Sequence, residues 1–400
     1  MDFGYTEEQQ RFRRELRNWL RENLPDGWLA VDQDLPEDRY ERVKFLRDWQ
    51  RTLHEGGWAG FQWPEEYGGR GASLIKELIY REETSRVNAP EPINGVGLHF
   101  VGPTLIECGT DAQKERFLGN ILTADEVWCQ GFSEPGAGSD VASLTCEAER
   151  DGDRFLINGQ KIWTSYAHAA DWCFLAARTD DSGTKHKGIT TLLVDMDQPG
   201  VDVEPIHQAN DRREFNQTFF DDAVAAEEHV VGEVDDGWSV IMTLSSFEHG
   251  MSKVEEARYR YRKLFEYCRR ATRDGTPLIE HEHVRQRLAE FDVRIQAAKR
   301  THLRHVSEQV ATGFPGPEGS MDMVVSDELI NELESFALNL SGSEAALWED
   351  HSHEGASIDD YLQSYGWWIA AGTGDIHRNI IGEQVLGLPS DIKSEESHRE

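Results

Sequence analysis

Three short stretches and one isolated carboxylate carry the side chains of this 400-residue chain that could do chemistry. Residues 132–140 read FSEPGAGSD. Their glycines flex a turn, so that backbone amides and the hydroxyls of Ser133 and Ser139 can approach a phosphate or a ring edge; a plain surface turn has the same composition. The stretch lacks the third glycine of GxGxxG and precedes a strand pattern rather than a long helix, so it is not a dinucleotide fingerprint. Residues 158–165, NGQKIWTS, set Trp163 beside the hydroxyls of Thr164 and Ser165. Such a group can stack on a planar ring and hydrogen-bond its heteroatoms, or simply fill core. Residues 372–389, GTGDIHRNIIGEQVLGLP, form a glycine-bounded turn opening a helix, which suits a phosphate or serves only as a connection. Glu248 follows Ile241 and Leu244 at spacings of three and four, beside Phe247 and Met251, so its carboxylate points to the apolar side of a helix. Residues 280–283 and 351–354 contain metal-capable groups, but histidines two apart do not share a helix face, and no metal is expected.

The elements that must hold these groups fall into three parts. Phe12, Leu16, Trp19 and Leu20, then Leu46, Trp49 and Leu53, recur at helical spacing, which predicts a helical module over residues 1–126. Over 127–236 the period becomes two. Strands are predicted at 145–149 and 154–157 around a hairpin turn at 150–153, then at 172–176, 189–194, 201–206 and 217–220. They do not alternate with helices, which argues for a sandwich or barrel and against a parallel nucleotide-binding sheet. From 237 to 400 helices return, one on Leu288, Phe291, Val293 and Ile295, another on Leu329, Leu333, Phe336 and Leu340, closing as a bundle. The expected class is α+β, mainly α.

Composition narrows the function classes. Forty-one basic against 74 acidic residues give a net charge of −33, which repels nucleic-acid phosphates and anionic lipid surfaces. Neither a nucleic acid nor a membrane is expected as a partner. Only 10 of the basic residues are Lys, against 31 Arg, a pattern that suits a high-salt cytoplasm or plain solubility. The N-terminus shows no basic, apolar signal pattern and no run approaches a membrane span, so a cytoplasmic location is expected. The five cysteines are scattered, never in CxxC spacing, and are expected as free thiols.

Taken together, FSEPGAGSD, NGQKIWTS and GTGDIHRNIIGEQVLGLP resemble the signatures of the flavin-dependent acyl-CoA dehydrogenases, in the same order and separation, so the resemblance spans nearly the whole chain. It implies an N-terminal helical domain, a central β-barrel and a C-terminal four-helix bundle. It also implies FAD as cofactor, an acyl-CoA substrate, electron-transfer flavoprotein as electron acceptor, and a homo-oligomer (dimer or tetramer) or hetero-oligomer. By position, Gln130, Phe132 and Ser133 would line the flavin and acyl site, Trp163 and Ser165 would contact the flavin ring, Ser139 would sit near the CoA arm, and Thr373 and Asp375 would meet the phosphate and adenosine portion of FAD.

Removing the α proton and β hydride of a thioester needs a base, a hydride acceptor and donors to the carbonyl. A buried carboxylate suits the first need and flavin the second. Many members place the base directly before the Gly-Thr of the third signature. Here that residue is Ala371, which cannot take a proton, although its backbone N–H would be a carbonyl donor. A second branch, similar to isovaleryl- and long-chain-type enzymes, places the Glu on the first long helix of the C-terminal domain, where this chain has Glu248. His249 stands where Arg is usual, next to the CoA-proximal part of the site. The resemblance thus implies a dehydrogenase forming a trans-2-enoyl-CoA, with two alternatives. One is a subunit of a hetero-oligomer acting on bulky, steroid-like acyl groups, which the stretch IWTSYAH resembles; the other is an oxidase using oxygen.

Overall fold

The computed structural model describes residues 4–28, 35–249, 252–313, 316–342 and 358–390. Helix α1 (Glu7–Asn23) opens on a reciprocal cap, in which the Thr6 hydroxyl accepts from the Gln9 amide while the Gln9 side chain accepts from Thr6, and buries Phe12, Leu16 and Leu20. Asp38 caps α2 (Arg39–Glu55), its carboxylate accepting from the Tyr40 and Glu41 amides. Helix α3 (Leu74–Arg86) follows, then a π-helical turn (Gly97–Val101) running into α4 (Gly102–Cys108) and α5 (Asp111–Thr123). Their shared core is aromatic: Trp58 packs on Phe12, Trp19 and Tyr80. Gly102 is required by close approach, since a Cβ there would lie 2.1 Å from the Trp63 ring.

The strands are β1 (Trp128–Gly131), β2 (Glu147–Asp151), β3 (Arg154–Ser165), β4 (Trp172–Arg178), β5 (Ile189–Asp195), β6 (Val201–Pro205), β7 (Phe215–Ala226) and β8 (Val230–Val231). The predicted hairpin is present, with Asp151 paired to Arg154 across Gly152 at φ +66°. The strand order is β6-β7-β3-β2-β4-β5-β8, with β1 added in parallel to β4. No closed barrel is found among the described residues: the pairing path is open, because β6 and β8 end it and do not pair with each other. Strands β4 and β5 are buried on both faces. Phe174 and Ala176 face the core shared with the N-terminal helices, while Cys173, Leu175 and Ala177 face a second core inside the sheet layer.

Helix α6 (Gly237–His249) returns to the first core through Val240, Ile241 and Leu244. Beyond it, α7 (Val254–Arg270), α8 (Glu282–Thr312) and α9 (Gly319–Ser341) pack on one another around Leu264, Leu288, Phe291, Ile295, Leu329 and Leu333. Helices α10 (Ile358–Ile369) and α11 (Gly374–Ile380) lie against α9. Val293, expected on the packed face of its helix, is 67% exposed; Leu288, Phe291 and Ile295 already complete the buried stripe at spacings of three and four, and residue 293 falls outside it. Residues 351–354 lie outside the described residues.

Candidate active site

Glu248 sits in the last turn of α6, one turn beyond Leu244, whose side chain is fully buried. Burial pushes the Glu248 carboxyl up to about 7, against a hydrogen bond from the Gln130 side chain that pulls it down. No charged neighbour among the described residues contributes to that shift. A carboxyl poised near neutrality without a salt bridge is what a general base requires.

Gln130 is placed by β1, which a buried amide network fastens to the helical layer. The Asn94 side chain accepts from the Trp128 amide at 2.9 Å and donates to the Glu126 carbonyl at 2.8 Å. The Gln50 side chain accepts from the Asn94 amide at 2.9 Å and donates to the Ile121 carbonyl at 2.8 Å. The strand that carries Gln130 is therefore anchored to the N-terminal helical layer by buried polar contacts, and the Gln130 side chain itself reaches Glu248.

The turn after β1 is held by a buried ion pair. Lys161 donates to Glu134 at 2.7 Å and to the Phe132 carbonyl at 3.2 Å. Glu134 also accepts from the Thr145 amide and hydroxyl and from the Cys146 amide. Burial works to raise its carboxyl, but Lys161 and these donors outweigh it and hold the group below its ordinary value. Phe132 is buried against Phe174, and the half-buried Ser133 accepts from the Ile162 amide at 2.9 Å through its carbonyl. A Cβ on Gly136 or Gly138 would meet nothing within 4 Å, so open space faces the turn. Ser139 is exposed, and Asp140 beside it is ion-paired with Lys185.

On β3 the pairing with β7 slips between Lys161 and Thr164. The irregularity re-aims Trp163, at φ +62°, so that its ring is 55% exposed, with Phe215 edge-on at 6.2 Å. Ser165 returns to register opposite Phe215.

In the third stretch Ala371 adopts φ +56° and Gly372 φ +99°. The Ala371 carbonyl lies 3.1 Å from Nε2 of the buried His377, which must donate to it, leaving Nδ1 to accept from the Ser320 hydroxyl at 3.2 Å. The Thr373 hydroxyl caps α11, and Asp375 is exposed and paired with Arg378 at 3.2 Å. The structure brings Glu248 and Gln130 together, and Ser133 next to the strand of Trp163; among the described residues no hydrogen bond or ion pair of Ala371, Thr373 or Asp375 reaches either group. Polar ties bridge the gap instead. Lys253, at the entrance to α7, donates to Asp327 of α9 at 2.9 Å and to the Trp367 carbonyl of α10 at 3.2 Å. Asn210 donates to Gln363 at 3.2 Å, and Arg212 pairs with Asp359. The side chain of His249 lies outside the described residues. A cavity of about 800 Å³ beside α5 contains none of these residues.

Sequence reasoning missed Glu134, Lys161, Gln50, Asn94 and Lys253. Lys161 left a signal: it occupies an inward position of a strand in step with the buried Phe155 and Ile157, and a cation there demands a buried anion.

The sequence models of the acyl-CoA dehydrogenase N-terminal, middle and C-terminal domains match residues 6–125, 129–223 and 235–386. The chain belongs to the acyl-CoA dehydrogenase family. It is 38% identical over 393 residues to acyl-CoA dehydrogenase IpdE1 of Mycobacterium tuberculosis, covering 96% of this chain and 99% of that protein. To acyl-CoA dehydrogenase FadE26 of the same organism it is 31% identical over 405 residues, covering 97% and 99%. Among solved structures, the ChsE4-ChsE5 complex from Mycobacterium tuberculosis superposes with a TM-score of 0.84 at 30% identity, covering 98% of this chain and 100% of that one. The Tcur3481-Tcur3483 steroid ACAD superposes at 0.83 and 28%, with the same coverage.

Members of this family are FAD-dependent oxidoreductases, and the residues present fit the flavin. An exposed Trp163 on a bulged strand, flanked by the half-buried Ser165 and by the turn with Ser133 and its open glycine side, offers a stacking face and hydrogen-bonding groups for a planar heterocycle. No helix among the described residues is long and apolar enough to cross a membrane.

Proposed function

We propose that this acyl-CoA dehydrogenase desaturates the Cα–Cβ bond of a saturated acyl-CoA to the trans-2-enoyl-CoA, with Glu248 as the base that removes the α proton. The observation that carries this is a carboxyl raised to about 7 by burial alone, with an uncharged amide as its partner. A Glu beside a cation would be a weaker base; one left in water would be largely ionised at pH 5 and no better than solvent carboxylate. Gln130 orients the carboxylate and tempers its basicity. Trp163, Ser133 and Ser165 hold the flavin ring, while Thr373 and Asp375 meet its phosphate and adenosine portion. Bound FAD supplies the acceptor for the β hydride, and electron-transfer flavoprotein takes the electrons onward. Ser139 and His249 flank the CoA arm, and the Ala371 N–H donates to the thioester carbonyl, its turn held by His377. The chain divides at residues 126 and 236 into helical, β and helical-bundle domains.

The substrate is a bulky, steroid-like acyl-CoA, and the working form is a hetero-oligomer. Support comes from two solved relatives described as a steroid ACAD and as a two-protein complex. It also comes from Ile369, Leu386 and Leu388, which are 66%, 66% and 56% exposed on the C-terminal elements, where a second chain would cover them. The test is a panel of CoA thioesters, from short straight chains to polycyclic acyl groups, read by anaerobic flavin bleaching. Reduction by the polycyclic members above the straight chains is expected, and the reverse order overturns the substrate assignment. Oxygen consumption at the rate of bleaching would mark an oxidase instead.

A further inference from the structure

A hollow of about 620 Å³ lies where α1 and α3 meet α7 and α8. None of its lining residues belongs to the site around Glu248. Its walls are cationic on a chain that carries a net charge of −33. Some of that charge is matched. Glu82 pairs with Arg13 and Lys299, and Glu83 with Arg17 at 2.6 Å and Arg86 at 2.9 Å. Behind them, Glu255 pairs with Arg258 and Lys299, each at 3.2 Å. The hollow therefore gathers seven cations around three carboxylates, and two arginines are left over. Neither Arg262 nor Arg300 has a salt-bridge partner among the described residues, and the Nε–H of Arg262 is buried without an acceptor. Burial and the neighbouring Arg258 together lower the pKa of Arg262, so the guanidinium sits in a place that disfavours its own charge. A buried donor and an unmatched charge are both costly unless a ligand supplies the acceptor.

We propose that this hollow binds a small anion bearing a diphosphate group. Guanidinium forks match phosphate oxygens two at a time, and Arg258, Arg262 and Arg300 come from two neighbouring helices, α7 and α8. Ile75 of α3 and Leu303 of α8 add apolar surface to the lining, which suits a nucleoside attached to the phosphates. The anion would tie the N-terminal helices to α7, whose first residue, Val254, follows the end of α6 by five positions.

The test uses the FAD-loaded protein and isothermal titration with pyrophosphate and, separately, ADP, at constant ionic strength. Saturable binding is expected, weakened about tenfold or more in Arg262→Gln and in Arg300→Gln, since each removes a charge-assisted hydrogen bond. Arg300 is exposed, so its substitution leaves the fold intact. Both variants should keep the wild-type rate of flavin reduction when no anion is added. Tighter binding of ADP assigns a nucleotide, and equal binding assigns the phosphates alone. Absence of saturable binding by either probe overturns the proposal. So does equal affinity in wild type and variants, or the same response to sulfate at matched ionic strength, which would be simple screening.

Discussion

The raised carboxyl of Glu248 makes a quantitative demand on the pH dependence of flavin reduction. With a value of about 7, the base is about one-tenth ionised at pH 6 and about nine-tenths at pH 8, so the rate of bleaching by saturating substrate should rise about tenfold between them. An ordinary carboxylate would give a flat profile over that range. The same shift has a thermodynamic side of opposite sign. The folded-state value lies above the unfolded 4.5, so the folded protein binds the extra proton between those values and stability falls as pH rises through the window. The cost at pH 8 is at most ~3 kcal/mol, and less to the extent that water reaches the half-buried carboxylate. Glu248→Gln keeps the shape, cannot ionise and cannot accept the proton. It should abolish bleaching, leave FAD bound, and melt above wild type at pH 8 while matching it near pH 5. Stopped-flow reduction under anaerobic conditions and melting curves at both pH values read the two sides. A pH-independent rate in the wild type, or undiminished reduction by Glu248→Gln, would refute the assignment.

Three further outcomes follow from neighbouring contacts. Gln130→Leu removes the hydrogen bond that lowers the Glu248 carboxyl, so the midpoint of the pH–rate profile should move above that of the wild type; a midpoint that moves down would show that Gln130 acts otherwise. Lys161→Met leaves Glu134 buried without its cation and should cost about 3–5 kcal/mol, with much of the loss recovered in the double variant Lys161→Met/Glu134→Gln, as read by denaturation of the purified proteins. Trp163→Ala removes a ring that the protein itself covers little, so the apoprotein should melt as wild type does while retention of FAD on dilution falls, measured by flavin fluorescence.

Much of the helical framework was legible because burial stripes repeat at helical spacing: Phe12, Leu16 and Leu20, or Leu329 and Leu333, are visible without coordinates and are buried. The hairpin at Gly152 was legible for a local reason, a turn that needs a positive φ. The length of β3 was not. Its second half, ending in the Trp163 bulge, is polar and irregular, and only its pairing with β7 makes it a strand. β1 was missed because four residues carry too little pattern; its partner β4 and the Asn94 network define it. For the site, spacing put Glu248 on one helix face with Ile241 and Leu244, and in the structure its carboxyl is buried. The partnership with Gln130 and the lock between Glu134 and Lys161 span 118 and 27 residues of chain. No local pattern encodes such distances.

The open path of the sheet carries a consequence for behaviour in a crowded cell. A sheet with ends offers unpaired backbone groups that could recruit strands from other molecules, and the proteins that tolerate such ends make them unattractive as templates. Here one end, β8, is two residues long. The other, β6, exposes Asp202 and Glu204 and stops at Pro205, which has no amide to donate. Some of the acidic surplus thus does a local job: it repels an incoming strand at the β6 end of the path, and neutralising Asp202 and Glu204 should tell on solubility before it tells on anything the enzyme catalyses.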